Sequence, residues 1–289
     1  MTDTLQPLSN WPPGQRRLIE GVFTDIDDTL TTDGAITPDA LEALAQLKDA
    51  GLHVIAITGR PVGWSAAFAR AWPVDAIVAE NGSVALVREL MHSPHGEVPM
   101  RVRRLYQQEA GVRAGNLARM QQVARRVLRE VPGAVLAQDS PGRETDIAID
   151  HSEFSHLSAD KIARVLVILR AEGMSASVSS IHINAWFGQH NKLDGARWIV
   201  RELFARELDA ELQRWAYVGD STNDQLMFEA FEQSVGVANI RRFVPELTHL
   251  PRYLAPSERG AGFAEVAACL LAARAGAATP GAASLHRAR

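Results

Sequence analysis

The chain has a single cysteine, Cys269, so neither an intrachain disulfide nor a cysteine-based zinc site can form. No run of about 18 apolar residues occurs, which excludes a membrane-spanning helix. A basic surplus is also missing: 30 Lys and Arg stand against 34 Asp and Glu, for a net charge of -4. Sequence-independent binding of nucleic acid needs the opposite balance. Lysine itself is scarce, and only Lys48, Lys161 and Lys192 interrupt the arginines. A lysine in such a background marks a place where a compact ammonium is wanted rather than a planar fork. The opening MTDTLQPLSNWPPGQRR has no apolar core, so no secretory leader is expected, and the cytoplasm is the expected compartment. What is present is ordinary for a globular protein. The 289 residues, 46% hydrophobic and 22% charged, suffice for one or two domains with a real core.

Residues 1–17 carry Pro12, Pro13 and Gly14 without periodicity and read as a flexible lead-in. Residues 272–289, rich in Ala and Gly, read as a disordered tail. Between them, short apolar strands alternate with amphipathic helices. Gly21–Thr24 reads as a buried strand, followed by a helix with Thr37 at its cap and Pro38 at its first position. His53–Ile57, Ala76–Ala79, Trp215–Val218 and Val235–Ala238 read as further strands. Such repetition implies a parallel sheet covered on both faces. Residues 84–186 have another texture: an arginine-studded helix from Arg101 to Arg129, two alternating strands (Thr145–Asp150 and Ser177–Trp186) and a helix around Ala159 to Ala171. Alternation means one buried and one wet face. The expectation is an α/β protein in which an α+β domain (84–186) is inserted into a parallel-sheet domain (18–83 and 187–271).

Ligands of open parallel sheets bind beyond the carboxyl ends of the strands. There the sequence places Asp25-Ile26-Asp27-Asp28-Thr29, Thr58-Gly59-Arg60-Pro61, Glu80-Asn81-Gly82 and Gly219-Asp220-Ser221-Thr222-Asn223-Asp224. Carboxylates gathered at one sheet end repel each other unless a cation neutralises them. Hard oxygen donors without His or Cys select Mg²⁺ over zinc. A hydroxyl (Thr58), the backbone of the Gly59 turn and an ammonium (Lys192) suit a phosphate. An aspartate pressed against that phosphate can attack phosphorus, and a carboxylate two residues on can protonate the leaving oxygen. His92 and His95 lack a third metal ligand, and the Arg101–Arg129 stretch reads most simply as a solvated face.

Asp25-x-Asp27-x-Thr29, Thr58, Lys192 and Gly219-Asp220-x-x-Asn223-Asp224, in that order, resemble the four motifs of the haloacid dehalogenase-like superfamily of Mg²⁺-dependent phosphatases. The insert resembles the class IIB cap. DIDDTL, ITGRP, AENG, ETDIAID and GVAN are most similar to the sucrose-phosphatase and mannosyl-phosphoglycerate-phosphatase group. The resemblance spans Leu18 to Ala268 and implies a Rossmann-like core with an α+β cap. It implies Asp25 as nucleophile and metal ligand, and Asp27 as general acid/base offering its backbone carbonyl to the metal. Thr58, Gly59 and Lys192 would bind the phosphoryl group. Asp220 would ligate Mg²⁺, with Asn223 and Asp224 ligating it or orienting its waters. Two departures stand out: Asp28 replaces the glycine common in relatives, and the Gly188–Lys192 loop lacks the aspartate that often precedes the lysine.

On the cap, Arg143, Glu144, Asp146, His182 and Asn184 are the expected substrate contacts, with Arg143 as a clamp for a second anion and Asp146 as an acceptor of sugar hydroxyls. Trp186 is a candidate sugar platform. The expected activity is hydrolysis of a small phosphorylated metabolite, a sugar or sugar-acid phosphate, with no nucleic-acid or membrane partner. A phosphomutase or phosphotransferase using the same aspartate, and a non-catalytic phosphometabolite-binding module, are the alternatives.

Overall fold

The computed structural model describes residues 5–90 and 100–275. Its centre is a nine-stranded sheet in the order Gln6–Pro7, Tyr253–Leu254, Ser234–Gly236, Trp215–Gly219, Gly21–Thr24, His53–Ile57, Ala76–Ala79, Val84–Leu90 and Met100–Tyr106. The first seven strands pair in parallel, and the last two are joined by antiparallel pairing, Val84–Leu90 alone running against the rest. Alternation divides the core between two faces. Val22, Ala216 and Val218 join Leu44, Leu47 and Phe263 on one side, while Phe23, Trp215 and Tyr217 join Ile199, Val200 and Phe228 on the other. Helices therefore cover both faces, as continuous apolar strands require.

A second, four-stranded antiparallel sheet runs Ser175–Val178, His182–Trp186, Ile147–Asp150, Val135–Leu136. The helices Ala110–Glu130 and Ala159–Ala171 bury Ile147, Ile149, Ile183 and Ala185 on one face. The intervening residues Asp146, His182 and Asn184 take the opposite face. That face was expected to be wet. It is instead docked on the end of the large sheet, leaving Asp146, His182 and Asn184 at most 2% exposed.

Five expectations are corrected. The stretch Arg101–Tyr106 is a strand, not helix, because Val102 and Leu105 pack inward while Arg103 pairs with Glu89. Both strands between Val84 and Tyr106 are continuous with the large sheet, so we place the start of the smaller unit near Gln107 rather than at residue 84. The single long strand Ser177–Trp186 is a hairpin. The Ser179 hydroxyl accepts the N–H groups of Ile181 and His182 and turns the chain without Gly or Pro. The lead-in is anchored: Trp11 is fully buried, stacks on Tyr253 and donates to Gln233, and Pro13 opens the short helix Pro13–Leu18. Helix Arg259–Ala275 runs into the stretch expected as tail, whose residues 276–289 lie outside the described residues, as do His92 and His95. No described helix is long and apolar enough to cross a membrane.

Candidate active site

Parallel pairing sets the polar strand ends side by side. Asp25 follows Thr24, whose strand lies between the one leading to Thr58 and the one leading to Asp220. Lys192 reaches the same place from the first turn of helix Lys192–Phe204, whose cap residue Asn191 accepts the N–H of Asp194. That helix can approach because two glycines touch: a Cβ on Gly195 would lie 2.5 Å from the Gly82 Cα. Gly82, at φ +109°, likewise has no room beside the Asn191 carbonyl.

The Lys192 ammonium donates to Asp25 Oδ1 and to Asp224 Oδ1, both at 2.7 Å. Asp224 is otherwise engaged: the Tyr217 hydroxyl donates to the same oxygen, and the N–H groups of Asp220 and Ser221 bind the other at 2.9 and 3.1 Å. Four donors fill the positions a carboxylate offers. Asp220 is the opposite case. Its Oδ2 accepts from Asn239 at 2.9 Å, while its Oδ1 is buried without a hydrogen-bond partner. Oxygens of Asp25, Asp220 and Asp224 lie within 4.8 Å of one another. Burial, and then the charges of Asp25 and Asp224, push the Asp220 carboxyl well up. Burial also raises Asp25, although Lys192 pulls the other way. Lys192 is held above its ordinary value because Asp224 and Asp25 outweigh the burial that would lower it. A buried, orphaned oxygen among crowded carboxylates is what a hard cation would complete.

Thr58 is fully buried, and its hydroxyl accepts the Arg60 N–H at 3.0 Å. The Asn223 side-chain Oδ1 accepts from the Ser221 hydroxyl, and the residue lines a small cavity of about 140 Å³ together with Lys192 and Asn81. Asp27 sits apart from the carboxylate group. Its side chain turns to Arg60, whose Nε lies 2.9 and 3.0 Å from its two oxygens. Asp27 opens onto a cavity of about 310 Å³ between the two sheets, lined also by Asp28, Arg60, Glu153, Phe154, Ser180, Arg242 and Arg259. The Ser180 hydroxyl is buried there without a partner. Asp28 adopts φ +55°, which explains why glycine suits this position elsewhere, and its carboxylate pairs with Arg242 at 3.1 Å and Arg259 at 3.2 Å.

None of the five expected cap contacts lines this cavity. Arg143 donates to the Gly59 carbonyl at 2.9 Å, to Asp146 at 2.8 Å and to Asp139. Asn184 donates to the Gly59 carbonyl and to Asp146. The Asp146 carboxyl is pushed up to about 7 by burial, against the pull of Arg143. Glu80 accepts the N–H groups of Val62, Glu144 and Thr145. Glu144 points away, to Arg104 and Tyr106. His182 Nε2 lies 2.8 Å from Glu153, whose carboxyl burial would raise but whose bonds to His182 and Arg60 push down to about 2. Trp186 donates to the His190 carbonyl beside the small cavity. Arg143, Asp146 and Asn184 therefore fasten the smaller sheet to the Gly59 turn. Sequence reasoning missed Glu153, Ser180, Arg242 and Arg259, which carry no motif. It quoted Arg60 and Glu80 without a role, although each follows a strand and so stood where ligands bind.

Residues 22–95 match the haloacid dehalogenase-like hydrolase family. No curated protein sequence matches the chain significantly. Among solved structures it is similar to sucrose-phosphatase from Synechocystis sp. PCC6803, there in complex with sucrose and phosphate, at TM-score 0.59 and 17% identity, covering 88% of this chain and 98% of that one. It is similar to Thermoplasma acidophilum 0175 at TM-score 0.64 and 15% identity, covering 88% and 98%. The subclass IIB sugar phosphatase BT4131 aligns at TM-score 0.55 and 16% identity, over 82% and 93%. Residues 22–95 thus match that family by sequence, and the fold of most of the chain is similar to those of these solved structures, a subclass IIB sugar phosphatase among them.

Proposed function

We propose that the chain is a Mg²⁺-dependent phosphatase acting on a small phosphorylated metabolite, a sugar or sugar-acid phosphate, through an aspartyl-phosphate. The observation that carries this reading is the buried group at the sheet end: Lys192 held between Asp25 and Asp224, beside an Asp220 oxygen with nothing bound to it. Asp25 and Asp220 would hold the metal with the Asp27 backbone carbonyl, and Asn223 would face its waters. Asp224, expected to ligate the metal or orient its waters, has all its positions filled and is read instead as fixing Lys192 and the turn. A bound divalent cation would neutralise the carboxylates and the incoming phosphate.

Asp25 attacks phosphorus in line. The P–O bond to the leaving group breaks, and the departing oxygen takes a proton from Asp27. Lys192 and the Thr58 hydroxyl hold the phosphoryl oxygens while charge shifts onto them. Water, losing its proton to Asp27, then attacks phosphorus and releases phosphate, restoring the Asp25 carboxylate. The cavity of about 310 Å³ beside Asp27, lined on one side by the smaller unit's Ser152–Phe154 and Ser180–Ile181 loops, receives the leaving group. Burial keeps bulk water from competing with this chemistry.

The test is phosphate release from a panel of sugar, sugar-acid, polyol and nucleoside phosphates, with Mg²⁺, with EDTA, and with Asp25→Asn alongside. Release that needs the metal and vanishes in the variant is expected. Release that persists in Asp25→Asn would overturn the mechanism, and a folded, metal-binding protein that releases nothing would point to transfer or sensing.

A further inference from the structure

Arg60 is 5% exposed and meets three carboxylates from two parts of the molecule. Its Nε and one terminal nitrogen bind Asp27, on the large-sheet side, at 2.8 to 3.0 Å. Its other contacts are to the smaller unit: Asp139 at 3.2 Å and Glu153 at 2.7 Å. Glu153 is fixed in turn by His182, whose place on the docked face is set by the sheet register. The guanidinium also lies over Trp64, 5.0 Å from the ring centroid. A guanidinium is planar and rigid, so its three edges cannot be satisfied independently. Moving the cap carboxylates rotates the fork that holds Asp27.

We propose that Arg60 is a positioning residue that couples the seating of the smaller sheet to the placement of the Asp27 carboxylate. This rests on the phosphatase reading, in which Asp27 protonates the leaving oxygen. The second fastening, Arg143 and Asn184 on the Gly59 carbonyl, is next in the chain to Arg60 and contacts no part of Asp27. Cap seating therefore reaches the acid/base residue through Arg60 alone among the described contacts.

Leaving groups separate this role from a general structural one. p-Nitrophenolate departs without a proton, whereas the alkoxide of benzyl phosphate, of similar shape, needs one. Arg60→Gln is expected to lower kcat/KM, which reports the leaving-group step and not the later hydrolysis common to both substrates, about 100-fold on benzyl phosphate, the low end of what general acid catalysis supplies, and far less on p-nitrophenyl phosphate. Arg60→Lys should restore part of the difference by keeping the charge. Glu153→Gln should produce the same selective loss at smaller size. Equal losses of kcat/KM on both substrates, or none, would overturn the proposal. Hydrogen exchange tests the coupling without turnover: Asp27→Asn should speed exchange severalfold in residues 139–143 and 152–155 of the full-length protein. Unchanged exchange there would sink the coupling even if the phosphatase activity stands. Absence of turnover in the wild type with exchange shifted would remove the phosphatase reading and leave the coupling.

Discussion

Two of the buried polar groups among the described residues are built from similar parts. One holds Asp25, Asp220 and Asp224 around Lys192; the other holds Asp146, Asp139 and Glu80 around Arg143. In the second, Arg143 makes bonds to Asp146, Asp139 and the Gly59 carbonyl, and Glu80 receives backbone N–H groups on both oxygens. In the first, one Asp220 oxygen is left bare, and the single ammonium is shared by the other two carboxylates. Burial costs a polar group several kcal/mol unless it is bonded, so an unfinished cluster persists only if something else completes it. The finished cluster makes structure and the unfinished one is fit for chemistry. Both are buried and both carry raised carboxyl groups, so burial and titration alone would not have told them apart.

The contrast is broken most severely at Asp25. Asp25→Asn should cut turnover by at least about 1,000-fold, as removal of a nucleophile does, while the melting temperature changes little. Completion of the cluster can be measured directly. Mg²⁺ at about 100 times its Kd should stabilise the wild type by about 2.7 kcal/mol, and Asp220→Asn should abolish that gain. A wild type indifferent to Mg²⁺ in thermal melts would mean that the bare oxygen is not a metal position. Next in size is the finished cluster. Arg143→Leu leaves Asp146 buried without its partner and should destabilise the fold by about 3–5 kcal/mol in denaturant titration. Adding Asp146→Leu should recover much of that loss. If Arg143→Leu left stability intact but raised KM, Arg143 would be the anion clamp that its sequence position suggested.

Those two clusters were unequally legible beforehand. Asp25, Thr58 and Asp220 each end an apolar strand, and parallel pairing puts strand ends together whatever else the chain does. Lys192 was conspicuous because lysine is rare here. The cap residues were recognisable as one polar face by their alternation. Which surface that face would meet depends on the docking of one sheet against another, and no local spacing encodes it. The same limit hid Arg60, whose partners Asp139 and Glu153 are 79 and 93 residues away. The hairpin at Ser179 was hidden for a local reason, since a serine hydroxyl turns the chain where glycine or proline would have announced it.

A smaller effect concerns His190, whose Nε2 is buried without a partner and whose ring stacks on Trp186. Burial lowers it from 6.5 to about 4. The unfolded chain therefore takes up a proton below about pH 6.5 that the folded chain refuses until about pH 4. Between those values the unfolded state binds more protons, so this contribution to stability is full above pH 6.5 and falls on acidification, by at most about 1.4 kcal/mol per pH unit. His190→Gln should flatten that part of the stability–pH curve. An unchanged slope would assign the acid sensitivity to the carboxylate clusters instead.

The smallest change in stability is expected at Asp28, and it sharpens the comparison at the mouth of the site. Asp28→Gly relieves a left-handed backbone, worth about 1–2 kcal/mol. It also removes the partner that Arg242 and Arg259 share; with those arginines 47% and 30% exposed, such ion pairs contribute about 0–1 kcal/mol. The two changes partly offset, so thermal stability should move by about 2 kcal/mol at most. The electrostatics of the cavity move more, because two guanidinium groups facing the leaving-group position lose the carboxylate that neutralises them. In the phosphate-release panel, kcat/KM of Asp28→Gly should therefore shift toward substrates whose leaving group carries a second negative charge, relative to neutral sugars. A shift in the other direction would mean that Arg242 and Arg259 hold Asp28 in place rather than being held in reserve by it, and that the aspartate itself meets the sugar hydroxyls.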